Sequence, residues 1–185
     1  QPQTGWLSLE DWHSLARIDA TTTGLWFFNS GPDAGASQPH RHLQLLPRSE
    51  GERICARDDW FRCCAAGTTT SAQDPLLRSA RVAAISSTLT GEMLRALYLA
   101  LAEDLGLGHP STDECPRGAY NLLITRQWIA MVRRSREGIR GFSVNALGFA
   151  GSLLSTDASD REWIHRSGPE ALLQAVVDTQ VLKVR

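Results

Sequence analysis

Apolar residues recur at spacings of three and four in two parts of the chain. The first part follows Ser8, a residue suited to capping a helix, and predicts a helix over about residues 9–19. The second part predicts the clearest helix, over Thr90 to Leu105, and Gly106 would end it. Both helices would be amphipathic, so each should pack one face against the rest of the protein.

Strands are predicted where β-branched and aromatic residues cluster between turn-forming residues. Four such runs occur, at residues 24–28, 81–85, 119–125 and 127–132. The last two are close enough to form a hairpin around Thr125-Arg126. Helices and strands do not alternate as they do in parallel sheets, so the fold class is predicted as α+β with a mainly antiparallel sheet and flanking helices.

A strict alternation from His40 to Leu46 predicts a further strand. On one face of this strand His40, His42 and Gln44 would stand about 7 Å apart at each step. The preceding residues, 29–39, contain no large apolar side chain and are rich in glycine and proline. We therefore expect an irregular loop that leads directly into a row of two histidines and a glutamine.

The remaining chain is predicted to consist mostly of connections. Residues 47–73 and 106–118 have the composition of loops, and Gly148 to Gly151 indicates a tight turn. Gly168-Pro169 would open a last helix that reaches about residue 177, because proline suits the first helical position.

Composition narrows the classes of function. The chain has 185 residues, a formal net charge of -1 and no apolar run long enough to span a bilayer. We therefore predict neither a nucleic-acid partner nor a membrane partner, and any anion site must be local. The four cysteines match neither a zinc motif nor a dense disulfide framework, which favours reduced thiols and a cytoplasmic location.

The histidine row is suited to nucleophilic attack on phosphorus. Neutral imidazole attacks a phosphoanhydride if its other ring nitrogen holds the proton, usually against a carbonyl oxygen. Neighbours in the row could donate hydrogen bonds to phosphoryl oxygens, where charge develops in the transition state. The loop would help to bind phosphate, because Gly35 allows close backbone approach and Asn29, Ser37 and Gln38 are neutral donors.

Two other interpretations of the row remain open. Two histidines at alternate strand positions are also a metal-ligand spacing, although Gln44 is a poor zinc ligand. The histidines could also simply cover a polar face of the sheet. A metal site would require a third ligand, and a purely structural role would leave the adjoining small-residue loop unexplained.

Three blocks in this order resemble a known family. They are "FFNSGPDAGASQPHRHLQLLP" at residues 27–47, "YNLLITRQWIAMVRRSRE" at 120–137 and "SVNALGFAGSLL" at 143–154. The first resembles the histidine-triad superfamily, with its third histidine replaced by glutamine. Together they resemble the diadenosine tetraphosphate (Ap4A) phosphorylase, or ATP adenylyltransferase, family. Galactose-1-phosphate uridylyltransferases share the first block but would not be expected to carry the other two.

The resemblance implies a two-step reaction on a HIT-like fold. His42 would attack the α-phosphorus of Ap4A and expel ATP, and inorganic phosphate would then release the adenylyl group as ADP. His40 and Gln44 would orient His42 and contact phosphoryl oxygens. Asn29 and the segment Gly35-Ala36-Ser37-Gln38 would hold the phosphates.

By the same resemblance, Asn121 and Arg134 would contact the substrate. Arg134 could neutralise distal phosphates by charge-assisted hydrogen bonds. The chain departs from the family at Arg41, where lysine is usual, and at Arg133, where proline is usual.

The resemblance also bears on domains, cofactors and partners. We expect residues 1–185 to form a single HIT-like domain, with the family's C-terminal block over about 119–185. The family has further chain before Ser8, so we expect a C-terminal portion whose N-terminal segment is missing or is a separate chain. No cofactor is expected, although the phosphate charge is compatible with Mg²⁺ on the nucleotide. The alternatives are a non-catalytic nucleotide sensor, a dinucleoside polyphosphate hydrolase or another nucleotidyltransferase.

Overall fold

The structure, a computed structural model, describes residues 1–49, 51–68, 74–86 and 88–178. Its α-helices are α1 (Leu9–Asp19), α2 (Asp58–Ala65), α3 (Gly91–Asp104), α4 (Ala146–Ala150), α5 (Arg161–Ser167) and α6 (Pro169–Ala175). Its strands are β1 (Gly24–Asn29), β2 (Gln44–Pro47), β3 (Ala80–Ala84), β4 (Tyr120–Ile124), β5 (Trp128–Arg133), β6 (Gly138–Ile139) and β7 (Phe142–Ser143). Short 3₁₀ helices cover Pro32–Ala34 and Pro75–Arg78.

The main sheet has five strands in the order β2-β1-β4-β5-β3, and every neighbouring pair is antiparallel. Strands β6 and β7 form a separate two-stranded sheet. The prediction of an α+β fold with a mainly antiparallel sheet is confirmed. The hairpin is confirmed as well, because β4 and β5 pair on either side of a connection that begins at Thr125.

Strand β1 is buried on both faces because helices cover both sides of the sheet. Trp26 and Phe28 belong to a core that includes residues of α1 and α3. Leu25 and Phe27 belong to a second core that includes residues of α2, α4 and α6. Alternate residues of one strand thus serve two cores, and this rigid centre carries the loop that follows Asn29.

The two helices predicted from apolar spacing are confirmed. Helix α1 begins with a reciprocal capping box, in which Ser8 Oγ accepts from the Asp11 N–H and the Asp11 carboxylate accepts from the Ser8 N–H. Helix α3 begins after Thr90, whose side chain accepts from the Met93 N–H. None of the helices in the described residues is both long and apolar enough to cross a membrane.

The predicted strand from His40 to Leu46 is wrong in its first half, since β2 begins only at Gln44. The backbone of residues 39–41 bonds instead to the N-terminal residues: the Gln3 N–H donates to Pro39 O, and the Arg41 N–H donates to Gln1 O. His40 forms an isolated bridge with Pro2. The first residues of the chain therefore replace β1 as the partner of residues 39–42, which we call the histidine segment.

Two other predictions need correction. Helix α2 lies within residues 47–73, which were predicted as loop; Phe61 stabilises it by stacking on Trp128 at 4.4 Å between ring centroids. Residues 50 and 69–73 of that stretch lie outside the described part of the chain. The predicted turn at Gly148 to Gly151 is the end of α4, which Gly151 closes with a left-handed φ of 103°.

Helix α5 was not predicted, and the last helix ends at Ala175, two residues before the predicted end. Both helices are seven residues long, and short helices have too few turns to show a reliable apolar period.

Candidate active site

The imidazole of His42 is held in one tautomer by its own segment. His42 Nδ1 lies 3.0 Å from the carbonyl oxygen of His40. A carbonyl oxygen only accepts, so in the neutral ring Nδ1 carries the proton and Nε2 has the lone pair. The side chain is partly exposed. The structure therefore presents an imidazole nitrogen that is able to act as a nucleophile.

The backbone at His42 is held by a buried side chain that the sequence analysis did not identify. The His42 N–H donates to Gln3 Oε1 at 3.0 Å, and Gln3 Nε2 donates to the carbonyl oxygen of Asn29. Gln3 is 2% exposed. Its contacts lie 26 and 39 residues away along the chain, so no local pattern could have revealed them.

An ion pair also holds the histidine segment, through Arg41, the residue between the two histidines. Arg41 Nη1 lies 2.8 Å from Asp11 Oδ2, and the Arg41 side chain is 8% exposed. Asp11 also closes the capping box of α1. Arg41 therefore ties His40 and His42 to the start of α1.

The other two members of the predicted row lie on either side of His42. The His40 ring is exposed and its centroid is 5.5 Å from that of the His42 ring. Gln44 opens β2 opposite Phe27 and is partly buried. Neither side chain forms a hydrogen bond with another residue that the structure describes, so both are free to bind a ligand.

The loop after β1 turns back at Gly35, where φ is 79°. A Cβ atom built there would lie 2.8 Å from Val144 O, so the loop packs tightly against the chain before α4. Ala36 is held by its N–H, which donates to Gly31 O. Ser37 and Gln38 are exposed, and their donors bond to no other described residue. They are therefore available to an anion.

Asn29 is the last residue of β1 and is 4% exposed. Its Oδ1 accepts from Asn121 Nδ2 at 2.8 Å and from the Ala146 N–H at 2.9 Å. Its Nδ2 donates to none of the described residues. Asn29 thus supports the loop through its oxygen and keeps one donor unused.

Asn121 and Arg134, the two expected substrate contacts, are both buried, at 0% and 3% exposure. Asn121 Nδ2 donates to Asn29 Oδ1 and to Ala34 O, both at 2.8 Å. Arg134 donates to Asn121 Oδ1 and to the carbonyl oxygens of Val144, Arg136, Glu137 and Val176. In this conformation the donors of both side chains bond to protein oxygens and support the site from beneath, and their contact with a substrate stays a prediction.

Arg134 also places a positive charge beneath the loop. Burial lowers the pKa of Arg134 to about 10, so it remains a cation at neutral pH. Its hydrogen-bond partners are all neutral oxygens, and the carboxylates of Asp33 and Glu137 oppose the shift only through their fields. A charge that no carboxylate neutralises by direct contact favours an anion at the nearby loop.

The metal interpretation receives no support from side-chain clusters. Among residues 1–49, 51–68, 74–86 and 88–178, no three His, Cys, Asp or Glu side chains are grouped to hold a metal ion. Gln44 and the donors of the loop match the chemistry of a phosphate better than that of a cation.

Two models of known domain families match the chain. Residues 75–178 match the model of the ATP adenylyltransferase C-terminal domain, and residues 1–55 match that of the Ap4A phosphorylase N-terminal domain. Together these matches include every residue of the candidate site. The C-terminal match alone covers more than half of the chain.

Two proteins of Saccharomyces cerevisiae are similar in sequence. Protein APA1 is 29% identical over 145 residues, which are 70% of this chain and 44% of APA1. Diadenosine 5',5'''-P1,P4-tetraphosphate phosphorylase 2 is 28% identical over 153 residues, which are 75% of this chain and 46% of the relative. The alignments thus cover less than half the length of either relative.

Solved structures show the same fold. Yeast Ap4A phosphorylase Apa2 superimposes with a TM-score of 0.65 and 22% identity, covering 94% of this chain and 62% of Apa2. Apa2 in complex with Ap4A superimposes with a TM-score of 0.62 and 24% identity, covering 94% of this chain and 63% of Apa2. At this identity the superposition establishes the fold, and the two domain matches establish the family. The chain belongs to the Ap4A phosphorylase (ATP adenylyltransferase) family.

Proposed function

We propose that the protein cleaves Ap4A with inorganic phosphate and releases ATP and ADP. The observation that carries this proposal is the 3.0 Å contact of His42 Nδ1 with the His40 carbonyl oxygen, which leaves Nε2 of the neutral ring as the nucleophile. The yeast relatives support the choice of substrate, because one is named as an Ap4A phosphorylase and Apa2 was solved with Ap4A.

The reaction would proceed in two displacements at the α-phosphorus. In the first, the His42 Nε2 lone pair forms a bond to phosphorus, the bond from phosphorus to the bridging oxygen breaks, and ATP leaves with that oxygen. In the second, an oxygen of inorganic phosphate attacks the same phosphorus, the P–N bond breaks, and ADP leaves. Nε2 regains its lone pair, so the enzyme returns unchanged.

The surrounding groups would hold the phosphates and stabilise the developing charge. Ser37, Gln38 and the unused Nδ2 of Asn29 would donate to phosphoryl oxygens, and His40 and Gln44, two positions before and after His42 in the chain, would do the same. Gly35 and Ala36 would shape the loop around the anion. Donors fixed by the folded protein need no reorganisation when charge develops, and this preorganisation is the main source of catalysis at such sites.

Dependence on phosphate tests the proposal directly. We expect Ap4A to be consumed only when inorganic phosphate is present, with ATP and ADP formed in equal amounts, as followed by chromatography. Formation of AMP without phosphate would indicate a hydrolase instead. Binding of Ap4A without turnover would support the alternative of a nucleotide sensor.

Gly35→Ala should weaken substrate binding. The added methyl group would meet Val144 O at 2.8 Å, and φ there is 79°, so the loop must move. We expect the KM for Ap4A to rise about tenfold and the stability to fall by about 1 kcal/mol or more. Steady-state kinetics and urea denaturation measure the two effects.

Gly67→Ala is the matched control for this variant. Gly67 has a similar φ of 66°, but a Cβ there would meet nothing within 4 Å. Gly67→Ala should therefore be destabilised only by the positive φ, which strains a residue with a Cβ atom, and should keep the KM of the unmodified protein. Equal KM values for the two variants would contradict a phosphate-binding role for the loop at Gly35.

We propose that the protein carries no resident cofactor and that Mg²⁺, when present, accompanies the phosphates of the nucleotide. We also propose a cytoplasmic location, where the exposed thiols of Cys63 and Cys115 would stay reduced. The resemblance also suggested a separate chain, carrying the family's N-terminal segment, as a partner, and this stays a prediction.

A further inference from the structure

The register of the β1–β2 pair predicts where His42 would lie if β2 continued towards it. Gly24 pairs with Pro47 and Phe27 pairs with Gln44, so each step along β1 is one step back along the other strand. Continued by two residues, this register places Asn29 opposite His42. The ladder stops before that pair forms, at the point where the candidate nucleophile begins.

The side chain of Gln3 lies between those two residues. Its Oε1 accepts from the His42 N–H at 3.0 Å, and its Nε2 donates to Asn29 O. A side-chain amide thus bonds to both of the backbone groups that the continued ladder would have brought together. It carries the same donor and acceptor as a peptide unit, so it satisfies both groups while keeping the strands apart.

The backbone around Gln3 fixes the position of this amide. The Gln3 N–H donates to Pro39 O at 3.0 Å, and the Arg41 N–H donates to Gln1 O at 2.9 Å. Pro2 forms a bridge with His40. The amide is therefore anchored to the same segment that carries His42, and it has little freedom to move independently of it.

We propose that Gln3 is a positioning residue for His42, and this inference rests on the proposed function. By holding His42 away from β1, the Gln3 amide sets the distance between Nε2 and the loop that binds the phosphates. Gln3 is almost fully buried, so it acts through His42 and Asn29 and does not touch the substrate. Displacement of a reacting group by about 1 Å can reduce a rate by about 10²-fold.

Gln3→Met tests the proposal, because methionine has a similar length but neither donates nor accepts as an amide does. We expect kcat for Ap4A phosphorolysis to fall 10- to 100-fold, while KM stays within about twofold of its original value. A role in folding alone would lower the melting temperature without changing kcat per folded molecule. If kcat/KM fell by the same factor only because KM rose, with kcat unchanged, the proposal would be overturned.

Gln3→Asn is a second variant in case the methionine variant does not fold. Asparagine keeps an amide but is shorter by one carbon–carbon bond, about 1.5 Å, so it cannot reach both Asn29 O and the His42 N–H. We expect the same fall in kcat at constant KM. Gln1→Ala is the matched control, since it removes an exposed amide two residues away but keeps the carbonyl that accepts from Arg41; its kcat should be unchanged.

Hydrogen exchange tests the same inference without relying on turnover. The His42 N–H bonds to Gln3 Oε1, so in Gln3→Met we expect its exchange with solvent to accelerate at least tenfold relative to the original protein. Unchanged protection would show that another acceptor holds His42 and would overturn the inference. If the original protein does not turn over Ap4A, the proposed function fails, and this measurement still decides the role of Gln3.

Discussion

We expect the His42→Ala variant to form no adenylyl adduct and to lose turnover by about 10⁴-fold or more. Alanine removes the nitrogen whose lone pair would attack the α-phosphorus, and none of the neighbouring groups replaces it. The adduct of the original protein should be labile in acid and stable in base, as expected for a phosphorus–nitrogen bond to imidazole. Incubation with Ap4A labelled in its adenosine, followed by denaturation and peptide mapping, measures it.

His165→Ala provides the control for this experiment. His165 lies near the end of α5 and is exposed, so its loss changes the number of imidazoles but not the candidate site. This variant should form the adduct in normal yield. An adduct of unchanged yield in His42→Ala would remove His42 from the role of nucleophile, and mapping would then identify the residue that carries the label.

The second large effect is expected at Arg134, where replacement by methionine should lower the free energy of unfolding by about 3–5 kcal/mol. The five N–H groups of the guanidinium donate to five oxygens. These are Asn121 Oδ1 and the backbone carbonyl oxygens of Val144, Arg136, Glu137 and Val176. Methionine leaves these acceptors without donors, and a buried unsatisfied acceptor costs about 1–3 kcal/mol. Urea denaturation with linear extrapolation measures the change.

Arg136→Met makes the same chemical change on the surface. Arg136 is exposed, so its loss should alter the free energy of unfolding by about 0.5 kcal/mol or less. Similar losses in the two variants would contradict the structural role assigned to Arg134. Arg134→Lys should also be destabilising, because an ammonium keeps the charge but has three donors that cannot reach five separate oxygens.

The effect at Arg134 should extend to the site, because Asn121 connects the two. Asn121 accepts from Arg134 and donates to Asn29 and to Ala34 O in the loop. Loss of the guanidinium therefore removes a bond that fixes Asn121, the residue through which Arg134 supports the loop. Through this link we expect Arg134 to affect the proposed binding of Ap4A without a donor of its own reaching the nucleotide.

Much of the fold could be predicted because its signals are local. Helices α1 and α3 have regular apolar spacing and side-chain caps, and β4 and β5 are adjacent in the chain. Helix α2 was missed because it is short and its stability depends on packing, as the stacking of Phe61 on Trp128 shows. The arrangement of helices and strands predicted the fold class. The family resemblance, carried by three blocks of sequence, predicted the candidate nucleophile.

The sequence by itself determined the main helices, the antiparallel sheet, the loop of small residues and the identity of His42 as the candidate nucleophile. Only the tertiary structure decided that Arg134 and Asn121 support the loop from beneath, and that Gln3 takes the place of a strand partner beside His42. The reason is physical. Caps and apolar periods join residues three or four positions apart. The side chains of Gln3 and Asn121 bond to residues 13 to 92 positions away, and such partners are chosen only when the chain packs.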